Sequence, residues 1–283
     1  MRIDGDDRYT FLQGLITNDV NLVGSDRSIY AAFLTPQGKF LHDFTIIAAG
    51  DALLIDMDGD PDLRADFTRR LKIYKLRAQV TITDVTDDWA VMALVGKDAL
   101  GSVELPADAG ATIAFAGGYA LVDPRTATMG ARLLLPAGSQ QQVVNDLAAA
   151  AGNLDMYDHL RISLGVPDGR RDLEREKSTV LEATLDRLNG VSWSKGCYMG
   201  QELTARTHYR GLMKRRLVPV ELEGPTPEQG ADLIQDGKTV GAMRSTAGEV
   251  GIVLMRLDAL EQSAPIMAGE TKITPRRAVW EAS

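Results

Sequence analysis

The stretch from residue 28 to residue 57 limits the possible folds most. Ser28 to Thr35 reads as a strand with Ile29, Ala31 and Phe33 on one side. Pro36-Gln37-Gly38 follows, with proline and glycine where a tight reversal favours them. Lys39 to Ala48 is the return strand, Ala49-Gly50-Asp51 turns again, and Ala52 to Met57 is a third strand. A meander with turns this short predicts an antiparallel sheet.

Helical and strand patterns then alternate. Asp6 or Asp7 is placed to cap a helix running to about Val20, with Phe11, Leu12, Leu15 and Ile16 as its apolar stripe. Pro61 opens another, capped by Asp60, in which Leu63, Phe67, Leu71 and Tyr74 recur at helical spacing. Its other side carries Arg64, Arg69, Arg70, Lys72, Lys75 and Arg77, a pattern that suits a solvated face or a docking strip for an anionic ligand or an acidic partner. The apolar run from Trp89 to Val95 predicts a buried strand, and Gly169 to Arg187, dense in charge, predicts an exposed connecting loop. After Gly211 come short strand candidates between Gly- and Pro-rich turns, the pattern of a small all-β module such as a barrel. The expected domains are an α+β body over 1–211 and a β module over 212–283. Strands interleaved with helices in this way predict α+β layering rather than a doubly wound parallel sheet.

Composition narrows the function classes. A net charge of −8 argues against a general nucleic-acid or anionic-membrane binder, so neither partner is expected. No apolar run reaches membrane-spanning length, and Met1-Arg2-Ile3-Asp4 does not open a signal peptide. A P-loop lysine motif and a Rossmann glycine triplet are both missing. His42, His159, His208 and the one cysteine lack the paired spacings of a closed metal site. One cysteine excludes an internal disulfide and suits a reducing compartment.

That cysteine stands in Ser194-Lys195-Gly196-Cys197-Tyr198-Met199-Gly200-Gln201-Glu202. A thiol near a cation and a helix N-terminus has its thiolate favoured. A lone cysteine is also commonly a small buried hydrophobe. A buried strand, however, rarely carries Lys195, Gln201 and Glu202 together, so the stretch reads as functional. Arg206, Arg210, Lys214, Arg215 and Arg216 follow directly and make a local positive field, suited to a surface hinge or to binding carboxylates.

Lys195 to Glu202 closely resembles the K-G-C-Y/F-x-G-Q-E signature of the YgfZ-type folate-binding proteins. Phe11 to Val20, Leu34 to Lys39, Tyr74 to Arg77, Arg161 to Pro167 and Ala205 to Gly211 resemble further elements of that family. The likeness spans residues 4 to 211 and reaches the C-terminal module by order and length. It implies a fold similar to the aminomethyltransferase (T-protein) of glycine cleavage. That fold is a three-module ring of two intertwined α+β units and a C-terminal β-barrel around a tetrahydrofolate site.

The resemblance further implies an accessory protein for iron–sulfur cluster assembly or repair rather than an ordinary enzyme. Iron–sulfur carriers or client proteins would be its partners, in a bacterial cytoplasm or a mitochondrial matrix. Asp43 would meet the pterin, with Tyr198, Gln201 and Glu202 lining the site. Arg206 and Arg210 would meet the glutamate tail. Cys197, promoted by Lys195, would be the working sulfur and a transient cluster ligand. The alternative is a folate-dependent one-carbon transferase of the T-protein kind. Against it, His42 stands where the T-protein hairpin has the first of two acids, and Ser163 where it tends to have a glutamate.

Overall fold

The computed structural model describes residues 1–282. It forms two compact units, each built from separate pieces of chain. The first comprises 1–37, 41–151 and 188–201; the second comprises 38–40, 152–187 and the chain from 202 onward.

The first unit opens with β1 (Arg2–Asp4), α1 (Arg8–Gln13), β2 (Ile29–Leu34), β3 (Phe40–Ala49), β4 (Ala52–Met57), α2 (Pro61–Lys75) and β5 (Thr81–Thr83). The strands form one sheet in the order β2-β3-β4-β1-β5. The expected meander is its first three strands, and β1 pairs antiparallel with both β4 and β5. Strand alternation sends Phe33, Phe44 and Ile46 to one face, where they bury Phe67 and Leu71 of α2. Each such burial contributes about 1.5–3 kcal/mol. The α2 N-terminus is closed by Asp60, whose side chain accepts from the amides of Asp62 and Leu63 at 2.9 and 3.2 Å. Several α2 cations are paired: Arg64 with Asp84, and Arg69 and Arg70 with Asp66.

The other face of the sheet carries Tyr30, Asp43 and Ile47. Ile47 packs on Leu121 and Leu134 of a second, four-stranded antiparallel sheet. That sheet holds β6 (Trp89–Leu94), β7 (Thr112–Phe115), β8 (Gly118–Val122) and β9 (Ala131–Pro136), in the order β6-β9-β8-β7. The helix α3 (Gln140–Asp146) sets Val143 against its Leu133 and Leu135.

In the second unit, α4 (Leu154–Leu164) and most of α5 (Gln201–Tyr209) precede β10 (Arg215–Glu223), β11 (Asp232–Gln235), β12 (Lys238–Ala247), β13 (Val250–Arg256), β14 (Ile266–Ala268) and β15 (Thr271–Pro275). These six strands close into a barrel, β10-β13-β12-β11-β14-β15, with β10 also pairing β15. Closure leaves no unpaired sheet edge. Val220, Leu233, Met243, Val253 and Ile273 fill the interior. The fully buried Arg161 of α4 fastens that helix to the barrel. Its guanidinium donates to Asp158 at 2.7 Å, to Asp172 at 2.8 Å and to the Ser245 hydroxyl of β12 at 3.0 Å.

Three local expectations need correction. α1 stops at Gln13 instead of reaching Val20, because the polar groups that follow take non-helical partners. Gln13, for example, donates to Asp19 at 2.8 Å and accepts from the Val20 amide at 3.0 Å. The strand from Trp89 is half exposed rather than buried, since β6 lies at a sheet edge. The charged segment 169–187 is a folded part of its unit: Asp172, Val180, Leu181, Ala183 and Leu185 are all buried. Several of its charges are paired, as Arg171 is with Asp158 and Asp168 and Glu174 with Arg244.

Candidate functional site

Residues 188–200 have no helix or strand, yet the segment is tied down along its length. The Thr17 hydroxyl donates to the Gly190 carbonyl at 2.6 Å, and the Ser192 amide donates to the Thr17 carbonyl at 3.0 Å. Asn18 donates from one amide nitrogen to the carbonyls of Asn189 and Tyr30, both at 2.8 Å. Farther along, the Met199 amide donates to the Gly14 carbonyl at 3.0 Å. The Thr-Asn-Asp-Val stretch is therefore a docking rail for the cysteine loop. Thr17 and Asn18 suit it because short polar side chains bond readily to nearby backbone.

Lys195 is the central tether. Its ammonium is buried and donates to the carbonyls of Ile16 and Asn18 at 2.7 and 2.6 Å. It also lies 5.1 Å from the centroid of the Tyr198 ring, a cation–π contact. Burial pulls its proton affinity down to about 8, against an opposing pull from Asp19. Its hydrogen bonds thus go to backbone oxygens.

Between Lys195 and Met199 the chain turns outward, and Cys197 is exposed. Tyr198, the next residue, is buried against the unit. Gln201 closes the loop: its amide donates to the Tyr198 carbonyl at 3.2 Å, and its side-chain oxygen accepts from the Tyr198 amide at 3.3 Å. Gly200 precedes α5 at φ +82°, a conformation that favours glycine. Glu202 is exposed in the first turn of α5, where a carboxylate complements the positive end of the helix. Arg206 and Arg210 are exposed one turn apart on the same helical side. Among the described residues neither guanidinium makes an ion pair.

Asp43 faces away from α2 on the first sheet. Its carboxylate accepts from the Tyr30 hydroxyl at 2.7 Å. Burial first, and then the charge of Asp43, push the Tyr30 phenol well above its usual range, so it stays protonated as the donor. The Arg125 guanidinium stands 5.9 Å from the Tyr30 ring centroid and is fixed by a two-point pair with Asp123 at 2.9 and 2.7 Å. Asn189 donates to the Pro124 carbonyl at 3.2 Å. Separate hydrogen bonds thus link the loop to the first sheet: Lys195 bonds the Asn18 carbonyl, the Asn18 side chain bonds the Tyr30 carbonyl, and the Tyr30 hydroxyl bonds Asp43. The residues that join them, Asn18, Asn189 and Arg125, carry no reactive chemistry that would single them out in a sequence; the likeness of the Thr-Asn-Asp-Val stretch to a family element was the available signal. His42 alternates to the opposite face and is only 4% exposed, with its Nε2 3.1 Å from Asp66.

Among the described residues no group of three or more His, Cys, Asp or Glu side chains is placed to hold a metal ion. No described helix is long and apolar enough to cross a membrane.

The fold defines the class. Residues 1–105 match the family model described as the GCVT N-terminal domain, and residues 214–283 match that of the CAF17 C-terminal beta-barrel domain. Among solved structures, the glycine cleavage system aminomethyltransferase T from Bartonella henselae superposes with a TM-score of 0.77, over 98% of this chain and 82% of that one. At 17% identity that likeness shows the shared fold.

Sequence relatives are more specific. The iron–sulfur cluster assembly factor IBA57, mitochondrial, of Mus musculus is 33% identical over 299 residues, covering 99% of this chain and 81% of that protein. The Homo sapiens protein of the same name is 34% identical over 288 residues, covering 95% and 78%. The chain belongs to this IBA57-type family of iron–sulfur cluster assembly factors, built on the aminomethyltransferase fold.

Proposed function

We propose that this protein helps to build or repair iron–sulfur clusters in client proteins, with Cys197 as its working sulfur and a tetrahydrofolate as bound cofactor, as in the YgfZ-type proteins. The observation that carries the reading is a single exposed thiol on an irregular loop that is nonetheless tethered at Gly190, Ser192, Lys195 and Met199. Holding a reactive side chain by packed and hydrogen-bonded neighbours is what positions it for chemistry. Thiolate sulfur is a soft ligand suited to iron–sulfur clusters, and a cluster is ordinarily held by four such ligands. One cysteine supplies one ligand, so the cluster is a shared cargo and a carrier or client protein provides the rest. Lys195 acts as the positioning residue, holding the loop to the carbonyls of Ile16 and Asn18.

The chemistry of the residues also fits a folate. The Asp43 carboxylate, oriented by Tyr30, is the kind of acceptor that the amino-pyrimidine edge of a pterin requires. Arg206 and Arg210 offer planar forks suited to the carboxylates of a glutamate tail. Tetrahydrofolate, when bound, supplies a carrier for one-carbon units. Gln201 and Glu202 shape the loop and the start of α5. The mouse and human relatives carry the word mitochondrial in their names, which supports a mitochondrial matrix setting, or the cytoplasm in a bacterium.

The test is complementation. Because Cys197 is exposed, Cys197→Ala should change stability by less than about 0.5 kcal/mol. It should leave folate binding intact and still fail to restore iron–sulfur enzyme activity in cells lacking the protein. Full complementation would reduce the thiol to a surface residue. Folate-dependent release of methylene from an aminomethyl carrier, surviving Cys197→Ser, would point instead to a transferase.

A further inference from the structure

We infer that the second unit holds a binding site for a small organic acid, a carboxylate borne on an apolar body. A cavity of about 390 Å³ lies beside β10 and the segment following β15. It shares no residue with the Cys197 loop or with Asp43, and the inference does not rest on the function proposed above.

Three features of the cavity define its ligand. Much of its wall is apolar, including Leu217, Val218, Leu260 and Pro275. Its charged lining consists of Arg187, Arg216, Arg276 and Arg277, with no carboxylate among the lining residues. Two donors on its lining residues, Nε of Arg276 and the indole Nε1 of Trp280, are buried and meet no acceptor. A buried donor without an acceptor is costly, and buried polar groups are ordinarily bonded.

The lining is also held in place. Arg276 is anchored by its other nitrogens, with Nη2 donating to the Ser163 carbonyl at 3.1 Å and Nη1 3.5 Å from Glu221. Arg216 is fixed by Asp186 at 3.0 Å. A carboxylate oxygen supplies the acceptor that these two donors lack, and a carboxylate matches a guanidinium in shape. The apolar wall favours a ligand with a hydrophobic body over a bare hydrated ion. The volume falls in the range of small-molecule pockets, near its lower end.

The indole N–H resonances of the full chain read this site directly. Trp280 is one of three tryptophans, and Trp280→Phe assigns its signal. Benzoate and phenylacetate should shift the Trp280 resonance saturably, while neutral benzamide should not. Arg276→Gln should weaken the acids by about tenfold or more. The resonances of Trp89 and Trp193 should stay in place in that variant, showing that the fold is retained. The inference is overturned if neither acid moves Trp280, if benzamide moves it equally, or if Arg276→Gln binds the acids as before. A shift produced by 5-formyltetrahydrofolate with both simple acids inert would assign the cavity to the folate site and would also overturn it.

Discussion

Lys195 is the residue on which the cysteine loop turns. Its ammonium gives two hydrogen bonds to carbonyls from within the protein, so charge is being held where water is scarce. Burial lowers its proton affinity to about 8, below the ordinary lysine range near 10.4. Between those two values the unfolded chain binds the proton and the folded chain has released it. Stability contributed by this residue therefore rises with pH across that window. Urea midpoints taken at about pH 7.5 and about pH 9.5 should consequently shift more favourably in the natural protein than in Lys195→Met. Equal shifts in both would show that the ammonium titrates as an open lysine. Cys197 contrasts with it: an exposed side chain that contributes little to packing.

At the scale of elements, the rail after α1 and the segment 188–200 act as one piece. Asn18 joins three chain segments, because its amide reaches both Tyr30 of β2 and Asn189 of the loop. Asn18→Ala strands these acceptors and should cost about 1–3 kcal/mol. Amide exchange should speed up across 189–199 before it does in β2 and β3; uniform protection would show that the loop is held without this residue. A second element depends on glycine geometry. Gly165 ends α4 at φ +72°, and a Cβ there would lie 2.9 Å from Cγ of Pro219 on β10. Gly165→Ala should cost about 1–2 kcal/mol from the left-handed backbone alone, with the contact adding to it. Thermal unfolding that matched the natural protein would refute this.

At the scale of the whole molecule, stability depends on how distant pieces of chain are fastened within each unit. In the second unit the fastening is Arg161, buried with the equally buried Asp172 and bonded to Ser245 of the barrel. Ser245 also donates to Asp172, at 2.5 Å. Removing one partner of such a pair leaves an uncompensated buried charge. Arg161→Met should therefore destabilise by about 3–5 kcal/mol. Arg161→Met with Asp172→Leu should recover part of that loss, because the orphaned charge is gone; a double variant no better than the single one would mean that the arginine acts by shape. Either result is readable by chemical denaturation.

The sequence by itself determined the meander of β2 to β4, the helix α2 with its Asp60-Pro61 start, the all-β character after Gly211 and the kinship with iron–sulfur cluster assembly factors on the aminomethyltransferase fold, though not which family of them. Each of these rests on a local pattern: period-two or helical spacing, turn residues, or a contiguous run of matching residues. The tertiary structure alone decided that the charged segment 169–187 is folded, that α1 ends at Gln13, and that Thr17 and Asn18 grip a loop more than 170 residues away. Those outcomes depend on which distant groups satisfy each buried donor and acceptor, and no spacing within a segment carries that information.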